Sequence, residues 1–473
     1  MKLSRISKLL VDAGQATADE AQARREDFAV TLQCGSDVIQ SRTLQVAVLT
    51  AANIAVRCFP GAVTIVLDPF FYDHQIALRP LAHESFAASL AGLVGLRNLR
   101  FSKRPAAAGK VLLFGNVPSQ SGALRVTYDG WIAQTGPSES TPRLAERPFC
   151  TLAGVLAGAL AVSEIFLAFA ELNIAATRRT VGLSLWRPEL SPNHPEAQGP
   201  QVEVLPRELW LLGLGHLGNA YLWCLAALPY PEPEKVEFYL NDFDKVESEN
   251  FETGLLFTQD DEKKYKTRVC NNWLEARGFE TRLIERPFGG DFRCRPEEPR
   301  LAFCGFDSNP ARRLLPGAAF ARVMESGLGG TRFNFDTIRF HSLPNPKPAE
   351  ELWPDPSPEE QERRARELEQ IARENPAYAE LAEDICGRAE LAGKSVAVPF
   401  VGVTAATLVV GEALRMLHDG PAYSDIKLSL SEPGSVYAVR KGNYAVQDSV
   451  EIPFCDAVLE EDEPISLAAA AEE

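Results

Sequence analysis

The sequence predicts an α/β protein in which one arrangement of parallel βαβ units occurs twice along 473 residues. Short apolar strands alternate with helical patterns, which is typical of parallel sheets covered by helices. Each half contains an apolar helix of small residues that reaches a Glu: PFCTLAGVLAGALAVSEIF starts at Pro148 and PFVGVTAATLVVGEAL at Pro399. RVTYDGWIA from Arg125 matches RFNFDTIRF from Arg332, which we interpret as equivalent strands. Because the matches follow the same order in both halves, they indicate an internal repeat.

The first half begins as strand, turn, helix and strand, in TLQCGSDVIQSRTLQVAVLTAANIAVRCFPGAVTIVLD, which runs from Thr31 to Asp68. It keeps a glycine after the first strand, Gly35, but not a full glycine pattern. Its FGNVP segment lacks the Asp that follows the matching strand of the second half, LAFCGFD. We therefore predict that residues 1–190 form a degenerate, inactive copy of the fold.

The second half begins in the same way, in ELWLLGLGHLGNAYLWCLAALPYPEPEKVEFYLND, and here the glycines are complete. Gly213, Gly215 and Gly218 lie between an apolar strand and a helix, where the helix N-terminus offers N–H groups to phosphate. Asp242 ends the next strand and is suited to hydrogen-bond ribose hydroxyls. This context predicts a nucleotide-binding Rossmann-like unit, and by itself it fits a dehydrogenase as well as an ATP-using enzyme.

A Pro-rich stretch from Trp186 to Gln201 marks the boundary between the halves, and further compositional changes divide the second half. A Pro-rich run followed by EEQERRARELEQIARE reads as an extended linker and a charged helix. We place the active copy at 205–345 and 395–450, a charged helical insert at 345–394, and an acidic tail at 459–473.

Composition excludes several classes of function. Lys and Arg number 48 against 64 Asp and Glu, a net charge of −16, whereas a nucleic-acid binder needs clustered basic charge. The nine cysteines form no CxxC pair, so we expect reduced thiols and no zinc site. The apolar stretch from Cys150 to Leu172 is broken by Glu164 and Glu171, which predicts a buried helix rather than a membrane span. The N-terminus turns polar too early for a signal peptide, and we expect a cytoplasmic protein.

The residues after the second strand of the active copy carry a more specific pattern. In order, the chain has a D-x-D-x-V run containing Asp242 and Asp244, then Asn250, an LF pair, Lys266, and a strand that ends at Asp307. This order resembles the ThiF/MoeB and ubiquitin-activating-enzyme superfamily over roughly residues 205–420, including the helix from Pro399.

The resemblance implies two tandem ThiF-type adenylation folds that form a pseudo-dimer within one chain, with the first copy degenerate. It implies that ATP and Mg²⁺ bind the second copy, where Asp307 holds the Mg²⁺ and Lys266 stabilises the charge that accumulates on the phosphates. The attacking group would be a carboxylate that is already ionised at pH 7, so no general base is required. In its compact size and its lack of zinc-binding cysteines, the chain resembles bacterial activating enzymes of ubiquitin-like conjugation pathways.

The chain departs from the family where the pattern N-R-Q is expected, because ETG stands there instead. Thr253 therefore occupies the position of an arginine that binds ATP phosphates. The resemblance also implies an arginine from the N-terminal segment of the partner copy. Arg5 is the candidate that we favour, with Arg24 and Arg25 as alternatives.

Relatives that form a thioester place a cysteine on or before the loop that precedes the helix at Pro399. Cys386 lies there, beside Gly387, and Arg388 and Lys394 nearby could favour the nucleophilic thiolate. The alternative is that Cys386 is a small buried hydrophobe, as Cys224 and Cys304 would be.

These residues support an enzyme that adenylates the C-terminal carboxylate of a ubiquitin-like protein with a C-terminal Gly and then captures it on Cys386. A conjugating enzyme would be a further partner, and further homodimerisation is open. A second hypothesis keeps adenylation without a thioester. A third is a catalytically dead scaffold that binds a nucleotide or a ubiquitin-like partner, which the replacement at Thr253 supports. A dehydrogenase is disfavoured, because Lys266 and Asp307 would then share no purpose.

Overall fold

The computed structural model describes residues 3–14, 16–67, 85–92, 99–105, 109–382, 385–445, 448 and 451–459. The helices are α1 Ser7–Asp12, α2 Ala18–Asp27, α3 Arg42–Cys58, α4 Phe86–Ala91, α5 Leu152–Phe169, α6 His216–Ala226, α7 Lys266–Glu275, α8 Asn309–Arg312, α9 Ala349–Leu352, α10 Pro358–Glu374, α11 Pro376–Leu381, α12 Ile385–Gly393 and α13 Pro399–Leu417. The strands are β1 Ala29–Cys34, β2 Ala62–Val66, β3 Leu99–Ser102, β4 Lys110–Phe114, β5 Leu124–Asp129, β6 Ile132–Pro137, β7 Val181–Ser184, β8 Val204–Pro206, β9 Glu208–Leu212, β10 Glu237–Asn241, β11 Glu280–Ile284, β12 Leu301–Cys304, β13 Arg322–Leu328, β14 Thr337–Leu343, β15 Pro421–Ser429, β16 Tyr437–Asn443 and β17 Phe454–Asp456.

Two large sheets share one strand order. The first runs β3-β2-β1-β4-β5-β6-β7 and the second β11-β10-β9-β12-β13-β14-β15-β16. In each sheet the first five strands are parallel and the remaining strands are antiparallel. The two halves therefore match strand for strand, with β16 added at the end of the second. The predicted fold class, two tandem Rossmann-like α/β domains, is confirmed.

The repeated apolar helices, α5 and α13, pack against each other at the centre of the molecule. Phe166 of α5 and Phe400 of α13 have ring centroids 5.4 Å apart. By length and composition both helices could cross a membrane, but 89% and 94% of their apolar windows are buried inside the protein. The helix predicted around Cys150 to Leu172 is therefore a buried core helix, as expected. Because α3 and α6 pack against the same pair, one continuous apolar core spans both domains.

The glutamate that ends each repeated helix pattern has the same structural role. Glu164 accepts hydrogen bonds from the Thr177 backbone at 2.8 Å and from Arg179 at 3.0 Å, just before β7. Glu412 accepts from the Tyr423 backbone at 3.0 Å, near the start of the matching strand β15. Both carboxylates are buried, so each one ties a core helix to the strand that follows it.

One predicted correspondence is wrong in its register. RVTYD from Arg125 forms β5, whereas RFNFD from Arg332 forms the turn between β13 and β14. The strand equivalent to β5 is β13, which carries no such motif. The error arose because an alternation of apolar and polar residues over five positions also fits a turn in which one aromatic side chain, Phe333, is exposed.

Residues 345–394 contain α9 to α12. The charged run forms α10, which begins with a capping box between Ser357 and Glu360 and buries only Ala372. The next helix, α11, contacts the N-terminal helix α1: Asn375 donates to the Val11 carbonyl at 2.7 Å, and the Tyr378 hydroxyl donates to Asp12. The insert therefore rests against the beginning of the chain. Asp68 and residues 460–473 of the predicted tail lie outside the described residues.

Candidate functional site

The glycine turn lies at the carboxyl end of β9, and each of its glycines has a separate geometric reason. Gly213 has φ of +84° and packs so closely that an added Cβ would lie 3.0 Å from Phe306. A Cβ on Gly218 would lie 2.1 Å from the Gly213 carbonyl, whereas nothing lies within 4 Å of one on Gly215. Since α6 begins at His216 and its first N–H groups have no partners within the helix, the turn offers an anion site beside open space.

Asp242 shapes this turn directly. Its carboxylate accepts hydrogen bonds from the Leu214 N–H at 2.7 Å and from the Asp244 N–H at 2.8 Å. Burial raises the pKa of Asp242, and the positive charge of Lys266 opposes that shift. The side chain predicted to contact ribose therefore also holds the glycine turn in place.

Lys266 and Asp244, both predicted site residues, form an ion pair. The Lys266 Nζ lies 2.9 Å from Asp244 Oδ2, and the backbone N–H of Lys266 donates to the Asp244 carbonyl at 3.0 Å. Lys266 is buried at the start of α7, while the Asp244 side chain is about half exposed. The charge of the ammonium group thus acts on the Asp242 carboxylate, which itself binds the glycine turn.

Asp307 lies at the same edge of the sheet. The turn before it is joined to β9, because the Gly305 N–H donates to the Leu212 carbonyl at 2.8 Å. The Asp307 side chain is exposed and makes none of the hydrogen bonds or ion pairs found within the described ranges. A single free carboxylate fits Mg²⁺, which binds through one or two carboxylates together with substrate phosphates. Within the described residues, no group of three or more His, Cys, Asp or Glu side chains is placed to hold a metal ion.

Asn250 has a local role in the structure. Its side-chain oxygen accepts a hydrogen bond from the Glu247 N–H at 2.9 Å, which closes the short turn that contains both residues. Its predicted contact with the nucleotide stays a prediction.

An asparagine that the sequence analysis did not single out, Asn219, is fully buried. Its side chain donates a hydrogen bond to the Leu214 carbonyl at 2.8 Å and accepts one from the Leu256 N–H at 3.0 Å. It follows the last glycine of the turn, and a polar residue on an apolar helix face was the signal that could have found it.

Side chains of the first domain bind the segment of the second domain in which Thr253 replaces the family arginine. Thr253 is buried, and the preceding Glu252 is paired with Arg25 at 2.9 Å. Arg57 donates to the backbone carbonyls of Phe251 and Leu255, the latter at 2.8 Å. These two buried arginines are therefore committed to fixing residues 251–257.

Of the three N-terminal candidates, Arg5 is the one whose charge acts on His216, the first residue of α6. It lies 3.6 Å from Glu249, and burial together with the charge of Arg5 lowers the pKa of His216 to about 4. His216 is therefore neutral at pH 7 and abuts α13, where a Cβ on Gly402 would meet its ring at 2.3 Å. Arg24 instead pairs with Glu171 at 3.8 Å, and Arg25 is bound to Glu252.

Cys386 lies in α12, and its side chain is outside the described residues. The two cations expected to favour its thiolate have other partners: Arg388 donates to the Ala382 carbonyl at 2.8 Å, and Lys394 donates to Glu249 at 3.0 Å. Burial raises the pKa of the Cys224 and Cys304 thiols, in line with their interpretation as small core residues.

A buried charged network behind Asp307 was not anticipated. Arg312 follows in α8 and lies 2.9 Å from Glu325 of β13, whose other oxygen lies 2.8 Å from His341 Nδ1. Glu325 and His341 are cross-strand partners in antiparallel register. The signal available in the sequence was Glu325 itself, a charged residue within the strand RVMESGL.

The equivalent edge of the first sheet is filled by the protein itself. Gly35 and Phe114 correspond to Gly213 and Cys304, and the position of Asp307 is taken by the buried Val117. Asp37 accepts a hydrogen bond from the Asn116 N–H at 2.8 Å and lies 2.5 Å from Arg143. A carboxylate of the chain thus lies where an anionic ligand would bind, which is in keeping with a degenerate copy.

Comparison with known proteins identifies the family. The model of the BilD N-terminal domain matches residues 29–185, and that of the BilD C-terminal domain matches residues 205–420. The bacterial E1-like protein BilD of Collimonas sp. (strain OK412) is 35% identical over 428 residues, which is 90% of each chain.

Among solved structures, crystal structures of E. coli MccB are similar at low identity. MccB with MccA-N7isoASN is 15% identical with a TM-score of 0.34, covering 51% of this chain and 66% of that chain. MccB with ATP is 14% identical with a TM-score of 0.33, covering 51% and 65%. Because the BilD models match both halves and the Collimonas relative covers nine-tenths of the chain, this protein belongs to the BilD family, whose curated relative is described as a bacterial E1-like protein.

Proposed function

We propose that the chain is an E1-like adenylyltransferase that uses ATP to activate the C-terminal carboxylate of a ubiquitin-like protein. The observation that carries the proposal is the edge of the second sheet, where open space lies beside Gly215 at the N-terminus of α6 and where Lys266 is paired with Asp244, two residues after the Asp242 that binds the glycine turn. Asp307 adds a free carboxylate there, and the family is E1-like. Cytoplasmic location and a structural role for the first domain complete the proposal.

In the proposed reaction the substrate carboxylate attacks the α-phosphorus of ATP. A carboxylate oxygen–phosphorus bond forms, the bond to the β-phosphate oxygen breaks, and pyrophosphate leaves. The N–H groups of α6 bind phosphate oxygens, and Lys266 stabilises the accumulating negative charge, for which its ammonium group turns from Asp244 toward the nucleotide. Asp307 would hold Mg²⁺, which when bound supplies further neutralisation of the triphosphate.

A thioester step follows in the proposal. The Cys386 thiolate attacks the acyl carbon of the adenylate, a carbon–sulfur bond forms, and AMP leaves with the oxygen that joined it to the acyl group. The thiol proton passes to solvent when the thiolate forms. The alternative that keeps adenylation transfers the acyl group directly to another acceptor. The replacement of the family arginine by Thr253, which is buried, favours a second candidate function, a scaffold without turnover.

The test incubates the protein with ATP and candidate ubiquitin-like proteins that end in a free Gly, and measures ATP–pyrophosphate exchange and covalent adducts. We expect exchange that depends on the ubiquitin-like protein and an adduct that a reductant removes. Cys386→Ala should abolish the adduct and keep the exchange, because adenylation precedes thiol attack. Cys455→Ala, which removes a partly exposed thiol elsewhere, is the matched control and should change neither.

Two outcomes would speak against parts of this proposal. Exchange with normal product formation in Cys386→Ala, without any adduct in the wild type, would support adenylation without a thioester. Tight ATP binding with no exchange toward any acceptor would support the scaffold.

A further inference from the structure

One guanidinium group holds the turn that carries Asp307. The Arg312 side chain donates hydrogen bonds to the Phe306 carbonyl, immediately before Asp307, and to Asn309 Oδ1 at 3.4 Å, two residues after it. The Asp307 side chain is exposed and makes no hydrogen bond of its own in the part of the chain that the structure describes. The direction of its carboxylate therefore depends on the backbone of the turn, which Arg312 binds on both sides of Asp307.

Arg312 is in turn held by a buried carboxylate. Its Nε lies 2.9 Å from Glu325 Oε1, and the other oxygen of Glu325 lies 2.8 Å from His341 Nδ1. Glu325 and His341 are buried on neighbouring strands, and the Arg312 side chain is 12% exposed. Gly327 leaves room for the guanidinium group, because an added Cβ would lie 3.2 Å from Arg312 Nη1. The sheet thus supports Arg312 from below.

The start of the insert binds α8 as well. Arg313 donates to the Trp353 carbonyl and to Asp355 Oδ1, both at 2.8 Å. Asn309 Nδ2 donates to the Pro354 carbonyl at 3.2 Å. Since α8 has only four residues, it is too short to hold its conformation by its own hydrogen bonds. Contacts from the sheet and from the insert therefore determine where α8, and the turn before it, lies.

A buried ion pair is an ineffective way to gain stability. The cost of removing two charges from water offsets much of their attraction, and apolar residues of similar volume often stabilise a core equally well. An apolar residue at position 325 would, however, leave the guanidinium group of Arg312 without its anchor. The charge of Glu325 is therefore explained by what Arg312 does for the turn of Asp307.

We propose that Glu325, supported by His341, is a positioning residue that acts through Arg312 on Asp307 and so determines how tightly the site binds Mg²⁺ together with a nucleoside triphosphate. Because Glu325 is fully buried, it acts without touching the ligand. The inference rests on the proposed function, in which Asp307 holds Mg²⁺, and it adds to that site a buried support on β13 and β14.

The test measures ATP affinity by titration calorimetry with the full chain, once with Mg²⁺ and once with excess EDTA. Glu325→Gln should reduce the gain in affinity that Mg²⁺ gives by about tenfold, which is typical when an outer partner of a metal ligand is lost. Its affinity in EDTA should stay unchanged, because α6 and Lys266 are not altered. Asp307→Asn, which removes the ligand itself, should lose the same gain.

Two further comparisons separate positioning from a loss of stability. Glu164→Gln removes a buried carboxylate that is paired with Arg179 in the first domain, and as the matched control it should keep both affinities. His341→Asn retains a side-chain N–H group for Glu325 and should keep most of the gain from Mg²⁺, whereas His341→Leu should lower it.

The outcomes distinguish this inference from the proposed function. An unchanged gain from Mg²⁺ in Glu325→Gln, beside a lost gain in Asp307→Asn, would overturn the positioning role alone. Equal losses of affinity with Mg²⁺ and with EDTA in Glu325→Gln would do the same, because they would show a structural role only. The expected pattern in a wild type that catalyses no ATP–pyrophosphate exchange would support the positioning role and reject the proposed enzyme. A wild type that binds no ATP would overturn both.

Discussion

At the scale of single residues, the two repeated glutamates, Glu412 and Glu164, differ in how far their arginine partners are buried. Glu412 is fully buried with Arg415, which is also fully buried, and accepts a hydrogen bond from the Tyr444 hydroxyl at 2.6 Å. Glu164 pairs with Arg179, whose side chain is 26% exposed. At the same position of the repeat, the ion pair is therefore fully buried in the second domain and partly exposed to solvent in the first.

This difference predicts unequal costs for the same substitution. Glu412→Gln should lower the free energy of unfolding by about 3–5 kcal/mol, because Arg415 would be left as an uncompensated buried charge facing an amide donor. Glu164→Gln should cost about 1–2 kcal/mol, because Arg179 can turn toward water. Urea unfolding of both variants measures the comparison, and an equal or smaller loss for Glu412→Gln would contradict it.

At the scale of elements, glycine determines how closely the core helices approach. A Cβ on Gly154 of α5 would lie 2.3 Å from the Thr43 carbonyl of α3, so these helices touch through their backbones. A Cβ on Gly411 of α13 would make only ordinary contacts, with Arg415 at 3.6 Å and Leu185 at 3.8 Å. Within the two repeated helices, therefore, only some of the glycines mark a close approach to a neighbouring helix.

We predict that Gly154→Ala destabilises the protein by about 1–3 kcal/mol, since α3 and α5 would have to move apart. Gly411→Ala should be neutral or stabilising by up to about 1 kcal/mol, because alanine favours the helix and meets no close atom. Thermal or urea unfolding of the pair checks this. A greater loss of stability in Gly411→Ala than in Gly154→Ala would show that helix packing has been misassigned.

At the scale of the whole molecule, the two domains share one apolar core and several polar contacts. Trp223 of α6 donates its Nε1–H to Thr50 of α3 at 2.9 Å, and Arg25 binds Glu252 across the same boundary. Neither domain can lose its central helices without exposing those of the other.

The shared core predicts that both domains unfold in one cooperative transition. Calorimetry should give a calorimetric enthalpy equal to the van't Hoff enthalpy. Under the proposed function, saturating ATP should raise the midpoint of that single transition, because the ligand binds the folded state. Two resolved transitions, with only the second responding to ATP, would indicate that the domains are energetically independent.

The sequence predicted the repeat, the strand-turn-helix units and the position of the glycine turn, because alternation, apolar periodicity and glycine spacing are local signals. It also predicted Lys266, Asp244 and Asp242 as site residues, and the structure brings these three residues together. It misplaced the Arg332 motif, since a short alternation fits a turn as well as a strand. It favoured Arg5 but could not exclude Arg24 and Arg25, because side-chain direction depends on what each helix packs against.

The amino-acid order by itself determined that this chain is a doubled α/β protein with one complete glycine turn, since hydrogen bonding and chain stiffness act between near neighbours. Only the tertiary structure decided which charges meet. Glu249 and Lys394, Arg25 and Glu252, and Glu325 and Arg312 come together through sheet order and domain packing, and no periodic pattern records such pairings. The filling of the first copy's edge by Asp37 was decided in the same way, by the close approach of β1 and β4.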